Sequence, residues 1–336
     1  MLMPENPNFP FTESFEKSVG ALGEIVLLRE IAAWLAPFPK VARPAPRGIG
    51  DDCAVLPNEH GDAARLVTTD SVIFSKHFDE NVSPENAGAK LIKRNASDIA
   101  AMGGNPADAV LSLVMSADVE TEWLRRFYAG MAKACDALGI ELAGGDLASA
   151  PAGTQIFIAT LSLTGFSGNP PLLRTGARIG DAIFVTGTLG GSIREKHFSF
   201  MPRLEEGRFL ADFPREKVHG CMDITDGLAK DLKAIIPAGN HIEFDFSAIP
   251  VSEEVQKLSG GNREIALKHA FCDGEDYELV FCVAPDFEAT LAALWRERFP
   301  QTPLSRIGRI AVGIAPFPQF HGNASGYEHF GNCADS

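Results

Sequence analysis

Two runs of alternating strand-like and helix-like segments, separated by one stretch rich in glycine and proline, limit what this 336-residue chain can fold into. The separating stretch is FSGNPPLLRTGARIGD, residues 166–181, which has no apolar period. Each flanking run is long enough to bury a core of its own. The order of the segments lacks the regular βαβ rhythm of a doubly wound sheet, so we expect an α+β fold. The predicted divisions are a loose lead-in over residues 1–20, an N-terminal domain over 21–166 and a C-terminal domain over 167–336.

The N-terminal run predicts helices from their end signals and strands from their composition. Ser83 as N-cap, Pro84 at the first helical position and the stop at Gly103 and Gly104 predict a helix over residues 84–102. An apolar stripe predicts a second helix from about residue 118 to residue 139, and GEIVLLREIAAWLAPF predicts an earlier one. Short runs rich in β-branched residues predict strands. Those runs are ARLVTTD, ADAVLSLVM, IELAGGD and TQIFIATLSLTG, followed after the separating stretch by AIFVTG, GCMD and YELVFCVAP.

Charge and composition exclude several classes of partner. The chain has 30 Lys and Arg against 44 Asp and Glu, a formal charge of -14, which argues against a nucleic-acid surface or an anionic membrane. No apolar run approaches the roughly 18–20 residues of a membrane span. The six cysteines are scattered without C-x-x-C spacing and are expected to be reduced core residues. We therefore expect a soluble, cytoplasmic protein, in which an anionic substrate would need bound cations or backbone dipoles.

Acidic residues stand repeatedly at the ends of the predicted elements. For any one of them, a solvated turn or a helix cap is a sufficient explanation, because Asp bonds nearby backbone N–H groups. The carboxylate late in the helix over 84–102 opposes the helix dipole, however, at a cost of about 0.3–1 kcal/mol. As a set, these oxygen ligands predict a site for Mg²⁺. They are Asp51 and Asp52 in GIGDDCAVL, Asp70 in LVTTD, Asp98 in NASD, Asp146 in LAGGD, and Asp223 and Asp226 in CMDITDGL.

Some of these features keep two interpretations open. Thr225 and Asp226 sit where a helix is expected to begin, so they are either a cap or part of a site. The basic residues of KLIKRNASD could simply neutralise Asp98 on the surface. The glycine-rich VTGTLGGS could present backbone N–H groups to a phosphate, but it lacks the Lys of a P-loop. No arrangement of His, Cys or Ser indicates nucleophilic catalysis.

The order and spacing of the motifs resemble thiamine-monophosphate kinases, within the superfamily of aminoimidazole ribonucleotide synthetase. The resemblance spans roughly residues 20–331 and rests most specifically on GEDYEL together with GYEHF. It implies a homodimer of two-domain subunits, in which N-terminal sheets pair across the dimer and a cleft holds ATP and several Mg²⁺ ions. The other matching motifs are GIGDDCAVL, TTDSVIFSKHF, NASDIAAMGG, AGGDL, LLRTGARIGDAIFVTGTLGGS and MDITDGL.

Particular residues take expected roles from this resemblance alone. Three departures from the family pattern bear on the nucleotide and the acceptor: GGDLASAPAG after the GGD motif, Ala96 in NASD, and a shortened segment between GTLGGS and KHFSFMPRL. Asp51 matches its motif without being assigned as a ligand. The expected metal ligands are Asp52, Thr68, Thr69, Asp70, Asp98, Asp146, Asp223 and Asp226; the expected ATP contacts are Gly145, Asp146, Arg174 and Thr225; the expected contacts to thiamine monophosphate are His77, Glu275 and Tyr327.

The reaction that the resemblance implies is phosphoryl transfer from ATP to thiamine monophosphate, giving thiamine diphosphate and ADP. The attacking phosphate has a second pKa of about 6, so no protein base is expected. Carboxylates would hold the Mg²⁺ ions, and the ions would let two polyanions meet. The alternatives are another ATP-dependent enzyme of the superfamily with a different acceptor, or a nucleotide-binding regulator without turnover.

Overall fold

A computed structural model describes residues 10, 12, 14–37, 43–58, 61, 63–168, 170–194 and 196–318. Within these residues the chain forms two five-stranded sheets with helices packed on them. The strands of the first sheet are β1 (Ala54–Leu56), β2 (Arg65–Ile73), β3 (Gly104–Met115), β4 (Glu141–Ser149) and β5 (Phe157–Ser167). The helices of this half are α1 (Val19–Leu22), α2 (Glu24–Leu35), α3 (Pro84–Ala101) and α4 (Thr121–Leu138).

The first sheet has the strand order β1-β2-β5-β3-β4 and is antiparallel except for the parallel pair β3–β4. The long strands and helices lie where the sequence predicts them, and the Ser83 side chain caps α3 by accepting from the Asn86 N–H. Helices α3 and α4 pack on one face and approach each other very closely. A Cβ on Gly88 would lie 2.1 Å from the Phe127 carbonyl oxygen, and one on Gly130 would lie 1.9 Å from that of Glu85. Only glycine allows this crossing.

The edge of the first sheet at β4 is exposed in the part of the chain that the structure describes. Strand β4, at the edge, is exposed at all nine positions and pairs only with β3. The apolar side chains of Leu142 and Leu147 on β4 and of Val110 on β3 are 37%, 66% and 48% exposed. An exposed edge strand of this length is normally protected or paired.

The second sheet has the order β7-β9-β6-β10-β8 and is antiparallel throughout. Strands β6 and β9 are buried at every position, because helices cover both faces. Ile183 and Val185 pack with the α7 side, and Phe184 packs with Trp295 of α10 on the other side. The strands are β6 (Ala182–Thr186), β7 (Val218–Asp223), β8 (Asn240–Phe244), β9 (Leu279–Val283) and β10 (Leu304–Val312). The helices are α5 (Lys196–Ser199), α6 (Leu204–Ala211), α7 (Leu228–Ile235), α8 (Glu253–Ser259), α9 (Arg263–Cys272) and α10 (Glu288–Arg298).

The C-terminal end of α3 joins the two halves of the molecule. A Cβ on Gly207 of α6 would lie 2.0 Å from the Ala100 carbonyl oxygen, so the two helices touch through their backbones. The Ser97 hydroxyl donates to Oδ2 of Asp223 at the end of β7, over 2.5 Å. Asp98 therefore lies where the two sheets meet. Among the described residues, no helix is long and apolar enough to cross a membrane.

Candidate active site

A cleft of about 710 Å³ opens at this junction, with walls from α2, α3, the end of β7 and the turn before α7. Its lining has more acidic than basic side chains, and the basic ones include Arg94, Arg174 and Lys230. Most of the site residues expected from the sequence line this one cleft. They are Asp52, Thr68, Thr69, Asp70, His77, Asp98, Arg174, Asp223, Thr225, Asp226 and Glu275.

Three carboxylates converge in the cleft. Oxygen atoms of Asp52, Asp98 and Asp223 all lie within 4.8 Å of one another. Burial, and then the neighbouring charge of Asp52, raises the pKa of Asp223 to about 7. Burial, followed by the charges of Asp223 and other acids, raises the pKa of Asp98 well above its usual range. Without a cation this group of charges is self-repelling, which is the electrostatic signature of a metal or catalytic site.

Each of the three carboxylates is oriented by a neighbouring donor, which for Asp223 is the Ser97 hydroxyl described above. The Thr68 hydroxyl donates to Oδ2 of Asp98 over 2.5 Å. Arg174 donates to Oδ1 of Asp52 from Nε over 2.9 Å and also from Nη2. Oδ2 of Asp52 is buried and has no hydrogen-bond partner among the described residues. A buried, unpaired carboxylate oxygen is costly unless something binds it, and carboxylate and hydroxyl oxygens are the ligands that Mg²⁺ prefers.

The adjacent acids Asp51 and Asp52 have different partners and different roles. Asp51 Oδ1 accepts from the backbone N–H of Arg174 over 3.2 Å and from that of Asp52 over 3.1 Å. Burial, and then the charge of Asp52, raises the pKa of Asp51 to about 6. Asp51 thus fixes the connection between the two sheets to the loop before β1. Asp52 alone enters the cluster.

Strand alternation separates Thr68 and Asp70 from Thr69. Asp70 accepts from Nε of Arg94 over 2.7 Å, on the face that meets α3. The Thr69 hydroxyl donates instead to the Leu161 carbonyl over 3.1 Å, within the sheet. Side chains on successive strand positions point to opposite faces. The Thr69 hydroxyl is therefore engaged within the sheet, although Thr69 contributes to the cleft lining.

The basic residues of α3 do not neutralise Asp98, so that interpretation of KLIKRNASD is wrong. Lys90 pairs with Glu275 over 2.8 Å, and Arg94 pairs with Asp70. Lys93 donates to the Phe198 carbonyl over 3.0 Å. Each cation has a partner other than Asp98, and Asp98 keeps its place in the acidic cluster.

The turn after β7 is built by a residue that the sequence analysis did not single out. Helix α7 starts after Gly227, which makes no side-chain cap, so Thr225 is not the hydroxyl cap considered above. Asp231, one turn into α7, accepts from the backbone N–H groups of Thr225 over 2.9 Å and Asp226 over 3.1 Å. The Asp226 side chain pairs with Lys230 over 2.7 Å. Because Asp231 holds the turn, the Asp226 carboxylate remains at the cleft wall.

The glycine-rich loop VTGTLGGS has protein partners for two of its amides. Gly190 N–H donates to Oδ1 of Asp276 over 2.9 Å, and Gly191 N–H donates to Oδ2 of Asp273 over 2.7 Å. Burial raises the pKa of Asp276 to about 7. The carboxylates of the segment CDGEDYELVF occupy the positions that a phosphate would need, so these two amides serve the fold.

Glu275 also lines the cleft, and it lies on strained backbone. Its φ is 53°, rare for a residue with a side chain, and its N–H donates to the Thr225 carbonyl over 2.6 Å. Lys90 is fully buried and lies 2.8 Å from the Glu275 carboxylate. Burial lowers the pKa of Lys90 to about 8 despite this partner. Burial would raise the pKa of Glu275, but a hydrogen bond from His197 and the Lys90 charge outweigh it and lower that pKa to about 2.

The remaining predicted residues have different placements. His77 accepts from the Ile73 N–H at Nδ1 over 3.0 Å, and burial, then Arg94, lowers its pKa to about 3, so the ring is neutral. Gly145 and Asp146 lie on the exposed strand β4 and do not line the cleft. Tyr327 lies outside the described residues.

Several residues that bond to the predicted site residues were not assigned a role in the site from the sequence. Ser97, Lys90, Arg94, Lys230, Asp231 and His197 all bond to predicted site residues. Of these residues, Asp231 could have been predicted most easily from the sequence, because an Asp in the first turn of a helix commonly binds free backbone N–H groups.

Comparison with known proteins places both halves of the chain. Residues 50–166 match the N-terminal domain of AIR synthase related proteins, and residues 178–313 match the C-terminal domain. A thiamine-monophosphate kinase of Rhodopirellula baltica is 34% identical over 272 residues, covering 78% of this chain and 83% of the relative. That of Escherichia coli K12 is 32% identical, covering 70% of this chain and 76% of the relative. A solved structure described as AaThiL complexed with AMPPCP and TMP superposes with a TM-score of 0.77 at 27% identity, covering 94% of this chain and 100% of that one.

Proposed function

The chain belongs to the thiamine-monophosphate kinase family, and we propose that it transfers the terminal phosphoryl group of ATP to thiamine monophosphate with Mg²⁺ held by its own carboxylates. The observation that carries the metal-dependent part is the convergence of Asp52, Asp98 and Asp223 within 4.8 Å. The buried, unpartnered Oδ2 of Asp52 fits a metal ligand. Bound Mg²⁺ would cancel the repulsion between two anionic phosphates and stabilise the charge that develops during transfer.

The protein's own task in this reaction is positioning. The attacking phosphate oxygen is already ionised at neutral pH, so no side chain has to remove a proton. Arg174 lies beside Asp52 with its guanidinium in the cleft lining, where it is suited to bind a nucleotide phosphate. Thr68 and Ser97 hold two of the carboxylates in fixed orientations. Preorganised groups of this kind lower the barrier because reactants meet already aligned.

The part of the cleft around Glu275 suits the organic part of the acceptor. Thiamine monophosphate carries a cationic thiazolium ring, and the Glu275 carboxylate, whose pKa is lowered to about 2, is ionised at all physiological pH values. The Glu275 N–H bonds the carbonyl of Thr225, which adjoins the acidic turn. This one backbone hydrogen bond therefore fixes the distance between Glu275 and the acidic turn.

We also propose that the first sheets of two subunits pair across a dimer, so that the second subunit covers the exposed edge strand β4. Strand β4 is exposed along its whole length and carries Leu142 and Leu147. Asp146, on the same strand, does not line the cleft of its own subunit, so as a metal ligand it would act in the cleft of the partner. The cytoplasm, where ATP and Mg²⁺ are available together, is the proposed compartment.

One coupled assay tests the proposed function. ADP release is measured with thiamine monophosphate, with thiamine and without an acceptor, each in excess Mg²⁺ and in excess EDTA. We expect ADP release only with thiamine monophosphate and Mg²⁺, and thiamine diphosphate as the second product. Equal ADP release with and without an acceptor would indicate that the protein is an ATPase and not a kinase. ATP binding without turnover on any acceptor would indicate a regulator.

A further inference from the structure

Helix α2 forms a wall of the cleft without contributing a buried side chain to a hydrophobic core. None of its twelve residues is buried. The Glu24 carboxylate, in its first turn, pairs with Nζ of Lys230 on α7 over 2.7 Å, and Lys230 pairs in turn with Asp226. The side of the helix that carries Ile25 and Leu28 lines the cleft. An ion pair to α7 therefore holds a surface helix beside the acidic turn.

Ile25 and Leu28 supply apolar surface that the rest of the cleft lacks. They are the only large apolar side chains of the described cleft lining that are exposed, by 47% and 41%. Met222 and Tyr277 also line the cleft, but each is only 2% exposed. Residues three apart on a helix are neighbours on one face, so Ile25 and Leu28 form one continuous surface. Exposed apolar side chains in a concave, otherwise polar site are suited to the organic part of a ligand.

A short series of contacts connects this apolar surface to Glu275. Lys230 joins α2 to Asp226, as described above. A Cβ on Gly274 would lie 2.7 Å from the Thr225 carbonyl oxygen, so the turn that carries Asp226 packs directly on the segment that carries Glu275. The apolar surface of α2 and the Glu275 carboxylate are therefore two walls of one cleft, and both are attached to the same turn.

We propose that Ile25 and Leu28 are specificity-determining residues for the acceptor, and that their side chains form the surface on which its uncharged heterocycle packs. This inference rests on the proposed function, because thiamine monophosphate carries an aminopyrimidine ring besides its cationic thiazolium ring. Glu275 attracts the cationic ring, whereas contact with Ile25 and Leu28 removes apolar surface of the other ring from water. A phosphate without an organic group would gain nothing from this surface, so it favours heterocyclic phosphate esters.

The test measures KM separately for the two substrates in Ile25→Gln and in Leu28→Gln. We expect the KM for thiamine monophosphate to rise about fivefold, because roughly half of a branched side chain loses its apolar contact, while the KM for ATP stays within about twofold. Calorimetric titration of thiamine monophosphate into protein with Mg²⁺ and a non-hydrolysable ATP analogue should show the same loss of affinity. Both variants should fold, because neither side chain is buried.

Two further variants separate recognition from an effect on the helix. Val26→Gln is the matched control, because Val26 is also 41% exposed on α2 but does not line the cleft, and it should change neither KM. Leu28→Met keeps the apolar surface and should keep the wild-type KM for thiamine monophosphate.

Three results would overturn the proposal. They are a rise confined to the KM for ATP, which would assign the surface to the adenine ring, equal rises for both substrates, and no rise for either. Absence of ADP release by the wild-type protein with thiamine monophosphate would instead overturn the proposed function.

Discussion

Thr68 and Asp98 are joined by a hydrogen bond of 2.5 Å, in which the Thr68 hydroxyl donates to Oδ2 of the Asp98 carboxylate. The bond ties β2 of the first sheet to the last turn of α3, where the helix dipole is unfavourable for a negative charge. Asp52 and Asp223 reach the same place from the loop before β1 and from the end of β7. The cluster therefore depends on the relative position of the two sheets, and its members have a charge that the fold alone does not need.

Asp98→Asn should separate activity from stability. The amide keeps the shape of the side chain and an acceptor for Thr68, but it removes the ionisable carboxyl group. Burial and the neighbouring acids raise the pKa of that carboxyl group well above its usual range. We expect turnover at saturating Mg²⁺ to fall by on the order of 100-fold or more, because a metal ligand is lost. The metal-free variant should be more stable than the metal-free wild type, because a charge that its neighbours repel is lost.

Urea unfolding without Mg²⁺ and ADP release with Mg²⁺ check the two halves of this prediction. Asp136→Asn, a change of the same type at an exposed position of α4, is the control and should alter neither quantity. Near-wild-type turnover by Asp98→Asn would remove Asp98 from the proposed metal site.

Arg174→Met tests the cation beside the cluster. Asp52 is buried and accepts twice from this guanidinium, so the variant leaves a buried carboxylate unpaired. Breaking a buried ion pair in this way costs about 2–4 kcal/mol after allowing for the partly exposed arginine. We expect the metal-free variant to lose this much in urea unfolding, and Mg²⁺ to restore more stability to it than to the wild type. Arg178→Met, at an exposed position, is the control; equal Mg²⁺ effects in all three proteins would contradict the proposed site.

The sequence predicted elements whose signals are local. Ser83, Pro84 and the two glycines after α3 specify that helix within a few residues, and it spans Pro84–Ala101. The sequence did not indicate that β4 would be an exposed edge, and it did not predict β10 as a strand. β10 pairs with both β6 and β8, and its residues SRIGRIAV carry two arginines that interrupt the apolar pattern. Such a strand is specified by its neighbours in the sheet rather than by its own composition.

The candidate site likewise has residues that local sequence motifs predict and residues that they do not. Acids at the ends of elements could be collected from the sequence because each motif is short and the chemistry of Mg²⁺ limits the ligand types. Their partners could not, because they are distant in sequence. Lys90 meets His197 at a separation of 107 residues and Glu275 at 185. No local pattern connects such residues, so only the fold reveals that the basic side of α3 serves Glu275 and Asp70.

Asp276→Asn should make stability less dependent on pH. Burial raises the pKa of Asp276 from 3.8 to about 7, so the folded protein favours the neutral acid and the unfolded chain the carboxylate. The associated stability is fully present below about pH 4 and is lost as pH rises through about 7. The variant resembles the neutral acid at every pH and keeps an acceptor for Gly190 N–H.

In urea unfolding at pH 6, 7, 8 and 9, we therefore expect the stability of Asp276→Asn relative to wild type to rise by about 1–3 kcal/mol and to level off above pH 8. Asp118→Asn, at an exposed position, should give a constant difference over this range. A constant difference for Asp276→Asn as well would mean that Asp276 is already charged in the folded protein at pH 6.

Leu147→Glu tests whether β4 is covered by a second subunit. Leu147 is 66% exposed on the edge strand, and burying a carboxylate there against a partner would be strongly unfavourable. We expect the wild type to sediment as a dimer and the variant as a monomer at the same concentration. Val312→Glu, at a position 71% exposed on β10, is the control and should leave the dimer intact. A wild-type monomer would contradict the proposed pairing of the sheets.

Subunit mixing decides where Asp146 acts. Asp98 lines the cleft of its own subunit, whereas Asp146 lies on the exposed strand β4 and does not line that cleft. If each cleft takes Asp98 from one subunit and Asp146 from the other, a dimer of one Asp98→Asn and one Asp146→Asn subunit has one doubly altered and one intact site. Random pairing of equal amounts makes half the dimers mixed, so about a quarter of the wild-type activity should return from two nearly inactive parents. If Asp146 acted in its own subunit, every site in the mixture would carry one substitution, and co-expression would restore nothing.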